Sequence, residues 1–99
     1  MSDARLTLLE AITTRRIVAA LYNGTTIRLA PHLMFQRHGD LFVSALNLGK
    51  TWRSDEEPRL GQFKLAGLND AVLLDETFEP LDGFLPETPR EDDVLVLAV

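Results

Sequence analysis

The first stretch of the chain carries apolar side chains at helical spacing. They recur at positions i, i+4, i+7 and i+8, which puts them on one face of an amphipathic helix. These side chains are Ala4, Leu8, Ala11 and Ile12. Beyond this stripe the pattern changes to short apolar and alternating runs. We therefore predict a single helix over residues 3–15.

Six later segments have the length and apolar content of β-strands. In residues 25–33 apolar and polar positions alternate, which is typical of a strand with one buried face. Arg28 should then point outward, opposite Ile27 and Leu29. The same alternation points Lys64 outward from its own strand. The predicted strands are residues 17–22, 25–33, 41–48, 61–68, 71–75 and 94–99.

Turn signals separate several of these strands. Asn23-Gly24 is a strong hairpin signal, because both residues of such a turn must accept a positive φ. Residues 37–40 and 69–70 have the Gly, Asn and Asp content of further turns. Pro31 lacks a backbone N–H. The second strand should therefore pair weakly at Pro31 or lie at an edge of the sheet.

A helix followed by short strands and tight turns is typical of a mainly β domain with one N-terminal helix (α+β). We expect a small, strongly bent antiparallel sheet or a partly open barrel, with the helix covering one face or end. We divide the chain into a domain at residues 1–80 and an acidic, proline-containing tail at residues 81–99. Residues 94–99 are all apolar, so we expect them to pair with this sheet or with a second copy in a homodimer.

Length and composition fit one ordinary domain. The chain has 99 residues and no cysteine, so it forms no disulfide and no thiolate metal site. No secretory signal is visible at the start, and no apolar run approaches the roughly 20 residues of a membrane helix. We expect a cytoplasmic protein that does not bind a membrane.

The net charge of −5 hides an uneven distribution. Residues 11–64 hold eight Lys and Arg against four acids, whereas residues 65–99 hold one arginine against nine acids. A basic middle segment favours a local anion site on an acidic protein. The alternative is that these charges form solvated strand faces and a solubilising tail.

No arrangement of residues indicates catalysis. His32 and His38 lack the spaced companions of a zinc site, and are better explained as a strand histidine and a turn histidine. Ser44 lacks the Gly-x-Ser-x-Gly turn of a hydrolase nucleophile. The acidic runs at residues 55–57 and 91–93 are typical of solvated surface. We expect a protein that is not an enzyme and that uses no cofactor or metal.

Basic and aromatic side chains of the middle segment are the best candidates for binding. Cations combined with stacking aromatics commonly hold nucleotides and single-stranded nucleic acid. Tyr22 and Phe42 are alternatively core residues, and Trp52 in the polar loop at residues 49–60 is alternatively a loop anchor. The candidate ligand-binding residues are Arg16, Tyr22, Arg28, Arg37, Phe42, Trp52, Arg59 and Lys64.

Short matches to one known family are spread over residues 6–80. They are Leu9-Glu10-Ala11-Ile12, Arg15-Arg16-Ile17-Val18, Tyr22, Asn23-Gly24, Arg28, Pro31, Leu33, Gly39, Leu41-Phe42-Val43-Ser44-Ala45, Phe63-Lys64-Leu65, Leu68 and Phe78. Together they resemble the WYL domain. The resemblance implies a helix feeding a small, partly open barrel of the SH3/Sm-like type.

The WYL resemblance also implies a class of function. WYL domains are mostly found in bacterial transcription regulators behind a winged helix-turn-helix, where they act as sensors, and some bind nucleic acid or nucleotide-like ligands. This chain has no room for the DNA-binding half. We therefore expect a stand-alone regulatory module with a nucleotide or oligonucleotide ligand and a transcription-regulator protein as partner.

Four positions depart from the family pattern. Leu41 and Phe42 stand where the signature has Trp and Tyr, and Gly61 and Gly67 stand where the family commonly has arginine. Arginine is suited to forked recognition of phosphate or carboxylate. Its loss weakens the expectation of an anionic ligand and favours the second hypothesis, a homodimerising interaction module without a small ligand.

Overall fold

A computed structural model describes residues 4–49 and 59–99 of the chain. The described residues form one N-terminal helix and a six-stranded antiparallel sheet, which confirms the predicted α+β class. The elements are α1 Ala4–Thr14, β1 Arg16–Tyr22, β2 Thr25–Arg37, β3 Asp40–Asn47, β4 Gly61–Lys64, a 3₁₀ helix Leu65–Gly67, β5 Asn69–Thr77 and β6 Val94–Ala98. No helix in these two ranges is long and apolar enough to cross a membrane.

The sheet is open and is organised around the long strand β2. The strand order is β4-β3-β2-β1-β5, so β4 and β5 are its two ends among the described residues. β3 pairs with β2 along one side. On the other side β1 pairs with the first part of β2, and β6 pairs with the later residues Leu33–Gln36. The terminal apolar strand thus pairs with the sheet of its own chain.

Two hairpin turns have the backbone that their sequences predict. Asn23 and Gly24 have φ values of 51° and 77°, and His38 and Gly39 have values of 51° and 83°. Positive φ at both central residues gives the twist that joins antiparallel strands tightly. The sequence alone therefore located the β1–β2 and β2–β3 connections.

The predicted strand at residues 61–68 and turn at residues 69–70 are wrong in detail. β4 ends at Lys64, and the chain continues in the 3₁₀ helix, whose residues do not join the ladder with β3. Asn69 already belongs to β5, and Asp70, with φ of 52°, lies at an irregularity in the pairing of β5 with β1. The turn-forming residues therefore shape a bulge in a strand instead of a reversal.

Pro31 lies in the middle of β2, and pairing is interrupted there as predicted. The register moves from Pro31↔Ala45 to Leu33↔Ser44, so His32 is an extra residue on β2. Such a bulge accommodates the missing N–H of proline. β2 as a whole is not an edge strand, but among the described pairs Pro31 has a neighbour only on β3, because pairing with β1 ends at Leu29 and pairing with β6 begins at Leu33.

The core lies between α1 and the sheet. Leu8, Ala11 and Ile12 of the predicted helix stripe are buried, as are inward side chains of β1, β2 and β3. Burial of a leucine or isoleucine side chain contributes about 1.5–3 kcal/mol. The cluster consists of Leu8, Ala11, Ile12, Val18, Ala20, Leu29, Met34, Val43, Ala45, Leu65, Leu68 and Ala71.

Candidate ligand-binding surface

Arg37, the last residue of β2, is held by a carboxylate from the far end of the chain. Its Nε and Nη2 donate to Oδ1 and Oδ2 of Asp93 at 2.7 and 2.8 Å. The side chain of Arg37 is 11% exposed and that of Asp93 is fully buried. This two-point pairing is the strongest geometry available between arginine and a carboxylate.

Aromatic rings complete the surroundings of Arg37. The rings of Phe35 and Phe42 are cross-strand neighbours, stacked nearly parallel with centroids 5.4 Å apart. The guanidinium carbon of Arg37 lies 5.0 Å from the Phe35 centroid and 5.2 Å from that of Phe42. Phe42 therefore stacks on another phenylalanine and against a cation within the protein.

The pairing shifts the pKa values of both charged groups in favour of their charged forms. The hydrogen bond from Arg37 is the main cause that lowers the pKa of Asp93. The bond to Asp93 is likewise the main cause that raises the pKa of Arg37. Asp93 also accepts a bond from the backbone N–H of Arg90 at 3.0 Å, so the pair fixes the turn that precedes β6.

Arg16, at the start of β1, is also engaged within the protein. Its Nε donates to the carbonyl oxygen of Leu74 at 2.7 Å, and its Nη2 lies 3.1 Å from Oδ1 of Asp75. Both partners belong to β5, the neighbouring strand. The carbonyl contact links the two strands beyond their regular ladder, and Asp75 is fully exposed.

Arg28 reaches outward, as predicted, and lines a cleft of about 300 Å³ between β2 and the end of β3. Its Nη2 lies 2.6 Å from Oε2 of Glu76, which belongs to β5 on the far side of β1. Both side chains are well exposed, at 46% and 61%. An ion pair so exposed contributes little stability, so an anion can replace the carboxylate at small cost. The cleft is lined by Thr25, Thr26, Ile27, Arg28, Asn47, Leu48 and Gly49.

The walls of this cleft differ in chemistry. Leu48, which is 38% exposed, offers apolar surface, whereas Thr25 and Thr26 carry hydroxyl groups. The side-chain oxygen of Asn47 accepts a bond from the N–H of Gly49 at 2.9 Å, which leaves the amide NH₂ as its donor end. The cleft therefore combines donors for an anion with a surface for a flat apolar group.

Lys64 points outward, as predicted, but lies in a different place from Arg28. β3 separates β4 from β2, so the two cations do not share a strand pair. Lys64 lines a second cleft, of about 350 Å³, beside the β2–β3 turn. Its Nζ lies 3.3 Å from Oδ2 of Asp40. The structure thus distributes the predicted basic set over separate surfaces.

The remaining predicted binding residues have varied positions. Tyr22 is half-buried, packs against the core and meets the ring of Phe63 edge-on at 5.4 Å. A Cβ atom at Gly67 would lie 3.5 Å from the Tyr22 ring, an ordinary van der Waals contact. Arg59 is exposed, and Trp52 lies outside the described residues.

Sequence reasoning missed the acidic partners and the polar walls of the cleft. The acidic run at residues 91–93, which contains Asp93, is predicted as solvated surface, and Glu76 has no predicted role, because nothing in the sequence assigns a carboxylate to a distant arginine. Thr25 and Asn47 belong to no recognisable motif. Thr25 directly follows the predicted turn at Asn23-Gly24, and Asn47 lies next to the end of the predicted strand at residues 41–48. In the described part of the chain, no group of three metal-ligating side chains comes together.

Sequence comparisons identify no relative: no protein-family model matches the chain, and no curated protein matches it. The fold is similar to part of a solved structure, proteasome accessory factor B/C (PafBC) of Arthrobacter aurescens, with a TM-score of 0.69. Sequence identity is 15%, and the match covers 85% of this chain but only 13% of the PafBC chain. At this identity the likeness shows the fold alone.

Proposed function

We propose that this chain is a WYL-like ligand-binding or regulatory module that holds a nucleotide or a short oligonucleotide in the Arg28 cleft. Two findings support the class. The residues matched in the sequence resemble the WYL domain, and the fold is similar to that of part of proteasome accessory factor B/C. The expected setting is the bacterial cytoplasm, with a transcription-regulator protein as partner.

One observation carries the choice of site: among the described candidate cations, Arg28 combines an open cleft with an acidic partner that is itself exposed. Arg37, by contrast, is bound at two points to a buried carboxylate. A phosphate group in the cleft would draw the guanidinium of Arg28 away from Glu76, and it would gain the forked donors of that group and the nearby hydroxyl groups. The exposed apolar surface of Leu48 suits the base of the same ligand.

Binding of ATP and of short single-stranded oligonucleotides tests this proposal. Titrations by calorimetry, and by the fluorescence of Trp52, the single tryptophan in the chain, give the affinities. Arg28→Gln should weaken binding about tenfold or more, since hydrogen bonds to charged groups contribute roughly 1.5–3 kcal/mol. Glu76→Gln should strengthen binding, because it removes the competing carboxylate.

Lys64→Gln is the matched control, since Lys64 is a similarly exposed, acid-paired cation in the other cleft. It should leave the affinity nearly unchanged. Raising the salt concentration should weaken binding to the native protein more than to Arg28→Gln. Absence of any response to ATP and oligonucleotides, or equal affinity of the native and Arg28→Gln proteins, contradicts the nucleotide proposal.

A second candidate function, homodimerisation through residues 94–99, is favoured by the surface of β6. Val94, Leu95 and Val96 are 58%, 46% and 45% exposed although β6 pairs with β2. Consecutive exposed apolar residues on a strand favour contact with another chain.

Replacement of Val94 and Val96 by lysine tests the dimer, with Val72→Lys on β5 as the control because Val72 is 55% exposed. Sedimentation should show a native dimer that the double β6 substitution converts to a monomer and that Val72→Lys leaves intact. A native protein that sediments as a monomer at all concentrations contradicts the proposed homodimerisation.

A further inference from the structure

His32 is a wholly buried histidine whose two ring nitrogens are both used. Nδ1 lies 2.8 Å from the carbonyl oxygen of Ala30, so it must carry the proton and donate. Nε2 lies 3.0 Å from the backbone nitrogen of Leu81, whose N–H donates, so Nε2 must accept. These partners specify one neutral tautomer of the ring.

Two phenylalanines enclose the same ring. The Phe78 ring stacks on His32 with centroids 5.2 Å apart, and the Phe84 ring meets it edge-on at 5.1 Å. Both rings and Leu81 belong to residues 78–84, which have no helical or strand structure. The segment 78–84 therefore meets the bulge of β2 at the imidazole of His32, and its first residue, Phe78, also donates its backbone N–H to the carbonyl oxygen of Arg15 at 3.0 Å.

The attachment also adjoins the pairing of the terminal strand. The backbone N–H of Val99 donates to the carbonyl oxygen of His32 at 2.9 Å, immediately beside the Leu33↔Ala98 pair. The extra residue that β2 carries at its proline bulge thus contacts both the 78–84 segment and the end of β6.

We propose that His32 is a pH-sensitive switch. The neutral ring holds the 78–84 segment on β2, and the protonated ring releases it. A protonated imidazole has two N–H donors and no acceptor. Its Nε2–H would then face the N–H of Leu81, two donors with no acceptor between them. Release of the segment removes this conflict and lets water reach the charged ring.

The surroundings of the ring fix the direction of the effect. Burial, the largest cause, lowers the pKa of His32 below its ordinary value of 6.5, and the bond to Ala30 opposes this. Glu79 and Asp82 flank Leu81 on the segment. Neither acid is among the causes that shift the pKa of His32.

The released state therefore binds a proton more tightly than the attached state. Attachment is fully stable above pH 6.5, and it weakens as the pH falls from there toward the lower pKa of the attached form. In that interval the ratio of released to attached protein should rise by up to about tenfold per pH unit.

Amide hydrogen exchange measured by NMR, corrected for the intrinsic pH dependence of exchange, tests the proposal. Protection of the Leu81 amide should fall by up to about tenfold per pH unit below pH 6.5, whereas protection of core amides such as that of Val18 should not. His32→Gln, which cannot titrate, should remove this dependence. His38→Gln, which changes the exposed histidine of the β2–β3 turn, should keep it.

If His32→Gln does not fold, titration of the His32 ring in the native protein decides the question. A ring pKa below 6.5, together with loss of protection of the Leu81 amide over the same pH range, supports the proposed switch. A ring pKa at or above 6.5, or Leu81 protection that does not change with pH, overturns it.

Discussion

Arg28 and Arg37 lie near opposite ends of β2, and each meets one carboxylate from a distant part of the chain. The Arg28–Glu76 pair is roughly half exposed, whereas the Arg37–Asp93 pair is almost completely buried and has aromatic rings against it. Water screens the first pair more strongly than the second. The same residue type is therefore available to a ligand at one end of the strand and structural at the other.

The largest expected effect concerns the ring beneath Arg37. Phe35 is fully buried and stacked on Phe42, so Phe35→Ala should lower the free energy of unfolding by about 3–5 kcal/mol. Urea denaturation measures the change. Phe42→Ala, which removes a ring that is only half-buried, is the control and should cost less. Equal losses of stability in the two variants would show that Phe35 is no more tightly packed than Phe42.

The next effect concerns the buried ion pair itself. Arg37→Gln and Asp93→Asn should each lower the melting temperature clearly, because each leaves a buried charge without its partner. The double variant should lose less than the sum of the two single losses. Additive losses would mean that the two side chains stabilise the fold independently.

The pH dependence of stability should also distinguish this pair. The pKa of Asp93 is lowered from 3.8 in the folded protein, so its contribution is complete above pH 3.8 and is lost as the pH falls through the lower, folded value. Melting curves recorded down to strongly acidic pH should show a shallower acid loss in Asp93→Asn than in the native protein. The proposed release at His32 falls in a separate pH interval, below pH 6.5.

The smallest effect is expected at the exposed end of β2. Arg28→Gln and Glu76→Gln should each change the free energy of unfolding by less than about 1 kcal/mol, because exposed ion pairs contribute little. The same urea titrations measure both variants. A loss comparable to that of Arg37→Gln would contradict the distinction between the two ends, and with it the choice of Arg28 as the cation available to a ligand.

Much of the fold was predictable because its signals are local. The spacing of Leu8, Ala11 and Ile12 determines the buried face of α1, and the Asn23-Gly24 dipeptide determines the first hairpin. The failures at residues 61–70 have a physical reason. A short apolar segment fits a strand or a 3₁₀ turn equally well, and only its packing beside β3 and α1 selects between them.

The candidate site was predictable only in part. Alternation correctly pointed Arg28 and Lys64 toward solvent, since that follows from strand geometry alone. The sequence did not show that these two cations lie on separate surfaces. Their separation depends on the strand order, in which β3 lies between β4 and β2.

By itself, the sequence determined the helix, the two glycine-containing hairpins, the interruption at Pro31 and the outward direction of the cations. Each of these depends on backbone preference or on side-chain periodicity within a few neighbouring residues. Only the tertiary structure decided which acid meets which arginine, that β6 joins its own sheet and that His32 is enclosed by residues 78–84. Such contacts join distant parts of the chain, and a charged or aromatic residue carries no local sign of its partner.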